Sequence, residues 1–417
     1  MTFSGQKVVC MSEVDVVGIK LDDNYCGRCS ICSSICPYDA ISVDAVTGEV
    51  KIDIEKCQFC GICYSACPVN AIEIVYYDYG TLLKKVEKAV AEKKADTLVL
   101  MCRGNSPPTC EVGEILKNEE RGNYIPLRVP CVGRIPPEFI LKTLVSGISK
   151  IIAIRCEEDF CRFKEGSKIN NRRLLMTKRV LKELGFKHET LKIMTYARKA
   201  VYDTTKCVGC DKCVFICPYE AIDVEPLATP KIILEKCVGC GACALVCPHL
   251  AIQLEGFEYE TVSRRIQRYG AADKELKSKG VSPFVLVFCC QWSEFSALDH
   301  PEIRLFDNKV ALMEIPCFKG LDPYHVVEAL YSGFDGVLAV VCSDTDCKLE
   351  EGYEVAERNA TVLQRVLKEL NLQERFELYT ASPRKVGDFD KNLKMFIKKI
   401  SSLPPLTLEP SLAVKTG

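Results

Sequence analysis

The chain has 417 residues, with 55 basic and 56 acidic side chains and a formal net charge of −1. No overall field draws it to nucleic acid or to an anionic bilayer, so nucleic acid is excluded as a partner. The longest apolar run, about residues 283–290, is too short for a membrane-spanning helix, which takes about 20 residues. We therefore expect a soluble protein or subunit.

The 27 cysteines are too many and too regularly spaced for an ordinary globular chain. Their number is odd, their closest pairs are at metal-ligand spacing, and residues 1–20 contain no charged-then-apolar leader. These features argue against a disulfide framework. They favour a reducing, cytoplasmic compartment.

Four runs of the pattern C-x-x-C-x-x-C-x-x-x-C-P begin at Cys26, Cys57, Cys207 and Cys237. The spacing resembles the ligand run of a bacterial-type ferredoxin, in which three thiolates hold one 4Fe-4S cluster and the cysteine before proline ligates its neighbour. Zinc sites, which use four donors in two pairs, fit this pattern poorly. The resemblance implies four clusters with these ligands: I, Cys26, Cys29, Cys32 and Cys67; II, Cys57, Cys60, Cys63 and Cys36; III, Cys207, Cys210, Cys213 and Cys247; IV, Cys237, Cys240, Cys243 and Cys217.

The runs belong to a tandem duplication. An offset of 181 carries Cys26 onto Cys207, an offset of 186 carries Cys131 onto Cys317, and RVLKEL occurs once in each half. Each half is predicted to hold a ferredoxin module, a charged helical connector and a second module. The predicted segments are 1–78 (ferredoxin-like), 79–95 (connector), 96–200 (α/β), 201–257 (ferredoxin-like), 258–280 (connector), 281–402 (α/β) and 403–417 (a tail, disordered or laid on a partner).

In the second module of each half, short apolar strands alternate with helices. The first copy has strands at 97–102, 124–131, 150–156 and 191–197, with helices at 136–147 and about 165–185. The second copy repeats them at 284–290, 309–317, 336–342 and 376–381, with a helix capped by Asp322. Such alternation predicts a parallel sheet with right-handed crossovers. The fold class is thus α+β and α/β, with two dicluster ferredoxin modules alternating with two small parallel-sheet, flavodoxin-like modules.

The first three strands of each copy end in cysteine, and a fourth cysteine follows in the next loop. Because the carboxyl ends of parallel strands share one edge of the sheet, these thiols should converge. Four thiolates fit a 2Fe-2S or a 4Fe-4S cluster equally well by number, and buried structural cysteine is the alternative. The thiols are Cys102, Cys131, Cys156 and Cys161 in the first copy and Cys289 or Cys290, Cys317, Cys342 and Cys347 in the second.

P-C-V-G-R at 130–134, C-x-x-x-x-C at 156–161, C-Q-W at 290–292, P-C-F-K-G at 316–320 and C-S-D-T-D-C at 342–347 resemble the delta subunit of methyl-viologen-reducing hydrogenase. That iron-sulfur protein links hydrogenase or formate dehydrogenase to the flavin subunit of heterodisulfide reductase. The resemblance implies two 2Fe-2S clusters, one on Cys102, Cys131, Cys156 and Cys161, the other on Cys290, Cys317, Cys342 and Cys347.

The first ligand of each set departs from the family pattern. The family has C-x-W-C after the first strand, whereas this chain has CCQWS, with Ser293 in the last place. Strand alignment pairs Cys102 with Cys289, while the tryptophan motif pairs it with Cys290, which we prefer. Cys110 and Cys289 are then spare or alternative thiols, and Cys10 belongs to no motif.

The resulting interpretation is an electron-transfer subunit of a heterodisulfide-reductase-like complex. Its expected partners are a flavin subunit and a hydrogenase, formate dehydrogenase or other oxidoreductase. No nucleotide-binding motif occurs, and no residue is given a catalytic role. The alternatives are a reductase that attacks a disulfide through Cys110 or Cys289, and a redox sensor or scaffold. Arg134 and Lys319, which follow the second-strand cysteines, either offset thiolate charge or are ordinary solvated charges.

Overall fold

A computed structural model describes residues 18–75, 77–92, 95–103, 112, 116, 123–223, 230–278, 283–290, 309–385 and 387–406. Cys10, Cys110, Ser293 and the tail from residue 407 lie outside these ranges, so the predictions made for them are not addressed by the structure. Within these ranges, no helix combines the length and the apolar character needed to cross a bilayer.

The first cysteine-rich unit consists of two antiparallel strand pairs and two short helices. β1 (Ile19–Leu21) pairs with β4 (Ile72–Ile74), and β2 (Ile41–Val43) pairs with β3 (Val50–Ile52). Helices α1 (Ile31–Ile35) and α2 (Ile62–Ala66) each begin inside a cysteine run. The elements are short because the apolar core of such a small unit is itself small; the core packs Ile19, Ile41, Val50, Phe59 and Ile72 among the cysteines.

A single helix, α3 (Tyr79–Ala91), connects this unit to the first parallel sheet. Asp78 caps it by accepting a hydrogen bond from the Thr81 backbone N–H at 2.9 Å. Leu82 and Val86, one turn apart, are fully buried, and they join the core of the sheet that follows. The connector is therefore amphipathic, as its apolar spacing predicts.

The first sheet is parallel, and its strand order is β6-β5-β7-β8. β5 lies inside the sheet and is buried along its whole length, which explains its uninterrupted apolar sequence TLVLMC. The strands are β5 (Thr97–Cys102), β6 (Tyr124–Val129), β7 (Lys150–Cys156) and β8 (Leu191–Tyr196), and the helices are α4 (Pro137–Val145) and α5 (Gly166–Glu183).

The second cysteine-rich unit repeats the first. β9 (Ala200–Tyr202) pairs with β12 (Ile252–Leu254), and β10 (Ile222–Asp223) pairs with β11 (Lys231–Ile232), both antiparallel. The short helices α6 (Lys212–Phe215) and α7 (Ala242–Val246) again begin inside the cysteine runs.

After the connector helix α8 (Tyr259–Ser278), the second parallel sheet has the order β14-β13-β15-β16. This matches the first sheet strand for strand, so the predicted parallel sheets are confirmed in both copies. The elements are β13 (Val285–Cys290), β14 (Val310–Ile315), β15 (Gly336–Cys342), β16 (Phe376–Ala381), α9 (Pro323–Ser332) and α10 (Gly352–Glu369).

The last helix, α11 (Asp388–Ser402), was not among the predicted elements. Its buried side chains Phe389, Leu393, Phe396 and Ile400 recur at helical spacing. They cover the face of the second sheet that bears Val285, Val287 and Cys289. This helix therefore covers one face of the second sheet.

The two halves also contact each other through equivalent basic residues. Lys199, just before β9, donates hydrogen bonds to the carbonyl oxygens of Leu234 at 2.7 Å and Cys237 at 3.0 Å. Arg384, beyond β16, donates to the matching carbonyls of the first unit, Ile54 at 3.0 Å and Cys57 at 3.2 Å. Lys199 contacts the unit that follows it directly in sequence. Arg384 makes the equivalent contact with the first unit, near the other end of the chain.

Candidate metal centres

The four cysteine runs fall into two outer and two inner runs. In the runs that begin at Cys26 and Cys207, the second cysteines, Cys29 and Cys210, are exposed to solvent. In the runs that begin at Cys57 and Cys237, the first two cysteines are buried. We call the first pair the outer runs and the second pair the inner runs.

The structure places Cys36, the cysteine before proline of the first run, beside the thiols of the second run. Burial, reinforced by the neighbouring thiols of Cys57 and Cys36, raises the pKa of Cys60 to about 12. Burial also raises the pKa of Cys63, and Cys36 adds to that shift. This proximity is what a ligand shared between the two runs requires.

The second cysteine-rich unit has the same arrangement. Burial raises the pKa of Cys243, and the thiols of Cys240, Cys237 and Cys217 add to the shift. Cys217, which precedes a proline as Cys36 does, therefore lies near the thiols of the following run.

Backbone N–H groups point at the cysteines before proline. The N–H four residues further on donates to the sulfur of Cys67 at 3.2 Å, Cys217 at 3.4 Å and Cys247 at 3.3 Å. Hydrogen bonds to sulfur favour the thiolate over the neutral thiol. Because a thiolate is the form that ligates iron, these contacts suit metal ligands.

Four thiols converge at the carboxyl edge of the first parallel sheet. Cys156 at the end of β7 and Cys102 at the end of β5 lie 3.3 Å apart, sulfur to sulfur. Cys131 lies two residues beyond β6, and Cys161 follows a short 3-10 turn after β7. Hydrogen bonds from the Cys131 and Cys156 thiols lower the pKa of Cys161 to about 3. These hydrogen bonds favour the thiolate at Cys161, the form that ligates iron.

The second sheet brings its thiols together in the same way. Cys290 and Cys342 lie 3.5 Å apart, sulfur to sulfur. A hydrogen bond from Cys342 lowers the pKa of Cys347 to about 7. Cys317 is buried, and its pKa is raised by a hydrogen bond with Cys290 and by burial. Four thiols per sheet edge fit an iron-sulfur cluster by donor type and number.

The choice between Cys289 and Cys290 follows from strand geometry. Cys102 lies opposite Val129, and Cys290 lies opposite the equivalent Ile315. Side chains alternate between the faces of a strand, so Cys289 points to the opposite face, where it joins the core under α11. The register therefore favours Cys290, and it does not support the strand alignment that pairs Cys102 with Cys289.

Two glycines that the sequence analysis did not assign to the site make room for these thiols. A Cβ at position 166 would lie 2.7 Å from the Cys131 sulfur, and a Cβ at position 352 would lie 2.7 Å from the Cys347 sulfur. Real Cβ atoms essentially never approach so closely. Both glycines begin the helix that follows the fourth cysteine. Their recurrence at the offset of 186 is the sequence pattern from which they could have been recognised.

In each half, the inner run packs directly against the thiols of the parallel sheet. Cys60 and Ile62 share one apolar cluster with Cys131 and Phe163. Cys240 and Ala242 share another with Cys317 and Leu349. We call these two contacts the first and second junction.

Arg134 lies at the first junction and Lys319 at the second, and both side chains are 0% exposed. Treating them as ordinary solvated charges is therefore wrong. The sequence could not distinguish the two interpretations because both residues follow a loop cysteine, a position that is usually solvent-accessible.

Across the described ranges, no three His, Cys, Asp or Glu side chains are spaced to hold a single metal ion. The sulfur atoms described above lie at the sheet edges and in the cysteine runs.

The ferredoxin-like units and the thiol-bearing parallel sheets define an iron-sulfur protein. Residues 97–208 and 285–404, together more than half of the chain, match the family described as methyl-viologen-reducing hydrogenase, delta subunit, and the chain belongs to that family. Residues 25–71 and 200–254 each match a 4Fe-4S dicluster domain. The family resemblance expected from the sequence is thus confirmed.

Individual relatives agree with this assignment. Over 211 residues, half of its length, the chain is 32% identical to one of the subunits of the ferredoxin- and F(420)H(2)-dependent CoB-CoM heterodisulfide reductase of Methanosarcina acetivorans. Over 130 residues it is 30% identical to an iron-sulfur subunit of the F420-non-reducing hydrogenase of Archaeoglobus profundus, and this match covers 95% of that relative. The chain spans about a quarter of the length of the heterodisulfide reductase subunits that it matches.

Proposed function

We propose that the chain is an electron-transfer subunit that holds four 4Fe-4S and two 2Fe-2S clusters. Two dicluster ferredoxin modules would alternate with two flavodoxin-like modules, within the segments 1–78, 79–95, 96–200, 201–257, 258–280, 281–402 and 403–417. The cluster ligands would be the six sets of four cysteines named above, with Cys290 rather than Cys289 in the last.

The two junctions carry this proposal. An inner-run thiol and a sheet-edge thiol lie in one apolar cluster in both halves, Cys60 with Cys131 and Cys240 with Cys317. When bound, iron-sulfur clusters accept and donate single electrons. The residues of the chain would fix the spacing of the sites and exclude water at the junctions, and they leave Cys29 and Cys210 of the outer runs open to solvent. This combination of buried and open sites suits a relay between external partners.

The partners are proposed from the relatives. A heterodisulfide-reductase-like flavin subunit and a hydrogenase, formate dehydrogenase or other oxidoreductase would exchange electrons with this chain in a cytoplasmic complex. The balanced net charge supports the proposal that nucleic acid is not among the partners.

A direct disulfide reductase has less support. Burial raises the pKa of Cys289 well above that of a free thiol, whereas an attacking cysteine needs a lowered pKa and access to solvent. Cys289 is 0% exposed and lies in the core under α11. We therefore do not propose a catalytic role for it.

Iron and sulfide analysis of the anaerobically reconstituted chain tests the cluster content. Four cubanes and two binuclear clusters require about 20 iron atoms and as much acid-labile sulfide per chain. About 16 iron atoms without a binuclear signal in electron paramagnetic resonance (EPR) would remove the 2Fe-2S clusters from the proposal, and about 24 would mean cubanes at the sheet edges.

The transfer role needs a second measurement. The chain, given only an artificial donor, should leave a disulfide substrate intact but pass electrons to the flavin subunit recovered with it by anaerobic pull-down. Disulfide reduction by the isolated chain would contradict the proposal.

A further inference from the structure

Each junction contains a buried basic side chain in the turn that follows the sheet-edge cysteine. Arg134 ends the 3-10 turn after Cys131, and Lys319 lies in the equivalent turn after Cys317. Both are 0% exposed. Burying a positive charge is costly unless it faces negative charge, and the thiolate ligands at the junction are a source of such charge.

Arg134 lies against the inner run of the first half. A Cβ at position 61 would lie 2.9 Å from Arg134 Nε, so the guanidinium rests on Gly61, the residue that follows Cys60. Burial lowers the pKa of Arg134, and the Cys60 sulfur is the largest of the influences that oppose this shift. The side chain thus lies against the run that supplies three of the proposed cluster II ligands.

Lys319 lies in the equivalent turn of the second half, where its Nζ donates a hydrogen bond to the Glu350 carbonyl oxygen at 3.0 Å, although the order of the loop residues has changed. The first turn reads Gly133-Arg134, whereas the second reads Lys319-Gly320. Gly320 packs on the inner run so closely that a Cβ there would lie 2.9 Å from Gly241 Cα. Lys319 opposes the rise that burial causes in the pKa of Cys240. The positive charge has been kept at the junction while its position in the loop moved by one residue.

The outer runs differ at the same position of the motif. Ser30 and Asp211 stand where the inner runs have Gly61 and Gly241. Arg28, the basic residue within the first outer run, is exposed and donates to the Thr47 carbonyl oxygen at 2.7 Å. A solvated charge of this kind is screened by salt and water, whereas a buried charge is screened much less.

We propose that Arg134 and Lys319 set the reduction potentials of clusters II and IV, by stabilising the negative charge that each cluster gains on reduction. This rests on the proposed function. Burial of the inner thiols alone disfavours added negative charge. A fixed positive charge in the same low-dielectric junction offsets that penalty, because charges interact more strongly there than in water. Through their positive charge, the two bases keep the buried clusters reducible.

The test is a potentiometric titration of the full anaerobic chain, followed by EPR, for R134M, R134K, K319M and K319R. Each methionine variant should make one of the four 4Fe-4S clusters at least tenfold harder to reduce, a shift of about 59 mV to lower potential for a one-electron couple. R134K and K319R should retain most of the wild-type potential. R28M, which removes an exposed base, is the matched control and should shift no cluster to that extent.

Iron content distinguishes failure of the proposed function from failure of the potential-setting role. If the wild-type chain lacks the iron of four cubanes, the proposed function fails. If the iron is complete but no neutral variant shifts a potential, this inference fails alone. Should a methionine variant lose iron, the glutamine variant at that position replaces it. Loss of iron in all neutral variants, with retention in R134K and K319R, would assign the bases to cluster retention and overturn the potential-setting role.

Discussion

Arg128 and Glu314 form a buried ion pair between the two parallel sheets. They occupy the same place in the duplicated fold, since each is the fifth residue of the edge strand β6 or β14 and the two are 186 residues apart. Two equivalent edges meeting in this way resemble the isologous contact of a symmetric dimer. In such a dimer the two residues would be identical, whereas here one is basic and the other acidic.

Removing one member of this pair should weaken the contact between the halves. Their side chains are only 4% and 9% exposed, so E314Q or R128M leaves an uncompensated buried group and should cost about 3 to 5 kcal/mol. The exchange R128E/E314R should restore much of that loss. Anaerobic urea unfolding, followed by circular dichroism, measures both.

The control for this prediction is an exposed ion pair. Lys142 and Glu138 are 58% and 62% exposed, so E138Q should change stability by no more than about 1 kcal/mol. An E314Q variant as stable as E138Q would mean that the buried pair does not hold the halves together.

Adjacent cysteines at the end of β13 provide a matched pair of variants. C290S should remove one binuclear cluster, about 2 iron atoms, because Cys290 faces Cys342 at 3.5 Å. C289S should keep the full iron content, because its side chain lies in the core under α11. Iron analysis and EPR distinguish them; loss of the cluster in C289S alone would reverse the assignment.

Three variants test whether a cluster takes its fourth ligand from the neighbouring cysteine run. C36A should lose cluster II, because Cys36 lies with Cys57, Cys60 and Cys63. Its EPR spectrum should therefore match that of C60A, in which the same cluster is missing. A spectrum like that of C29A, which lacks cluster I, would show that Cys36 serves its own run.

Local patterns in the sequence predicted the strands and the thiol sets, because both depend on short-range spacing. The register of β13 was harder, since Cys289 and Cys290 are both cysteines at a strand end and only the pairing with β14 separates their faces. The burial of the turns that carry Arg134 and Lys319 depends on contacts with Gly61 and Gly241, 73 and 79 residues away from Arg134 and Gly320 in sequence. Helix α11 carried a readable apolar pattern at Phe389, Leu393 and Phe396 that the sequence analysis did not use.

The glycine that begins α5 gives the last prediction. In a helix, alanine is favoured over glycine by about 1 kcal/mol, so G166A would be expected to stabilise α5 if only helix propensity mattered. A Cβ at position 166 would instead lie 2.7 Å from the Cys131 sulfur and 3.4 Å from the Cys161 sulfur. We expect the steric conflict with the thiols to outweigh the gain in helix propensity. G166A should therefore reduce the binuclear cluster content, and G352A should do the same in the second sheet. G27A is the control, because a Cβ there has nothing within 4 Å. Full binuclear content in G166A, measured by EPR and iron analysis, would show that the thiol set does not depend on this close approach.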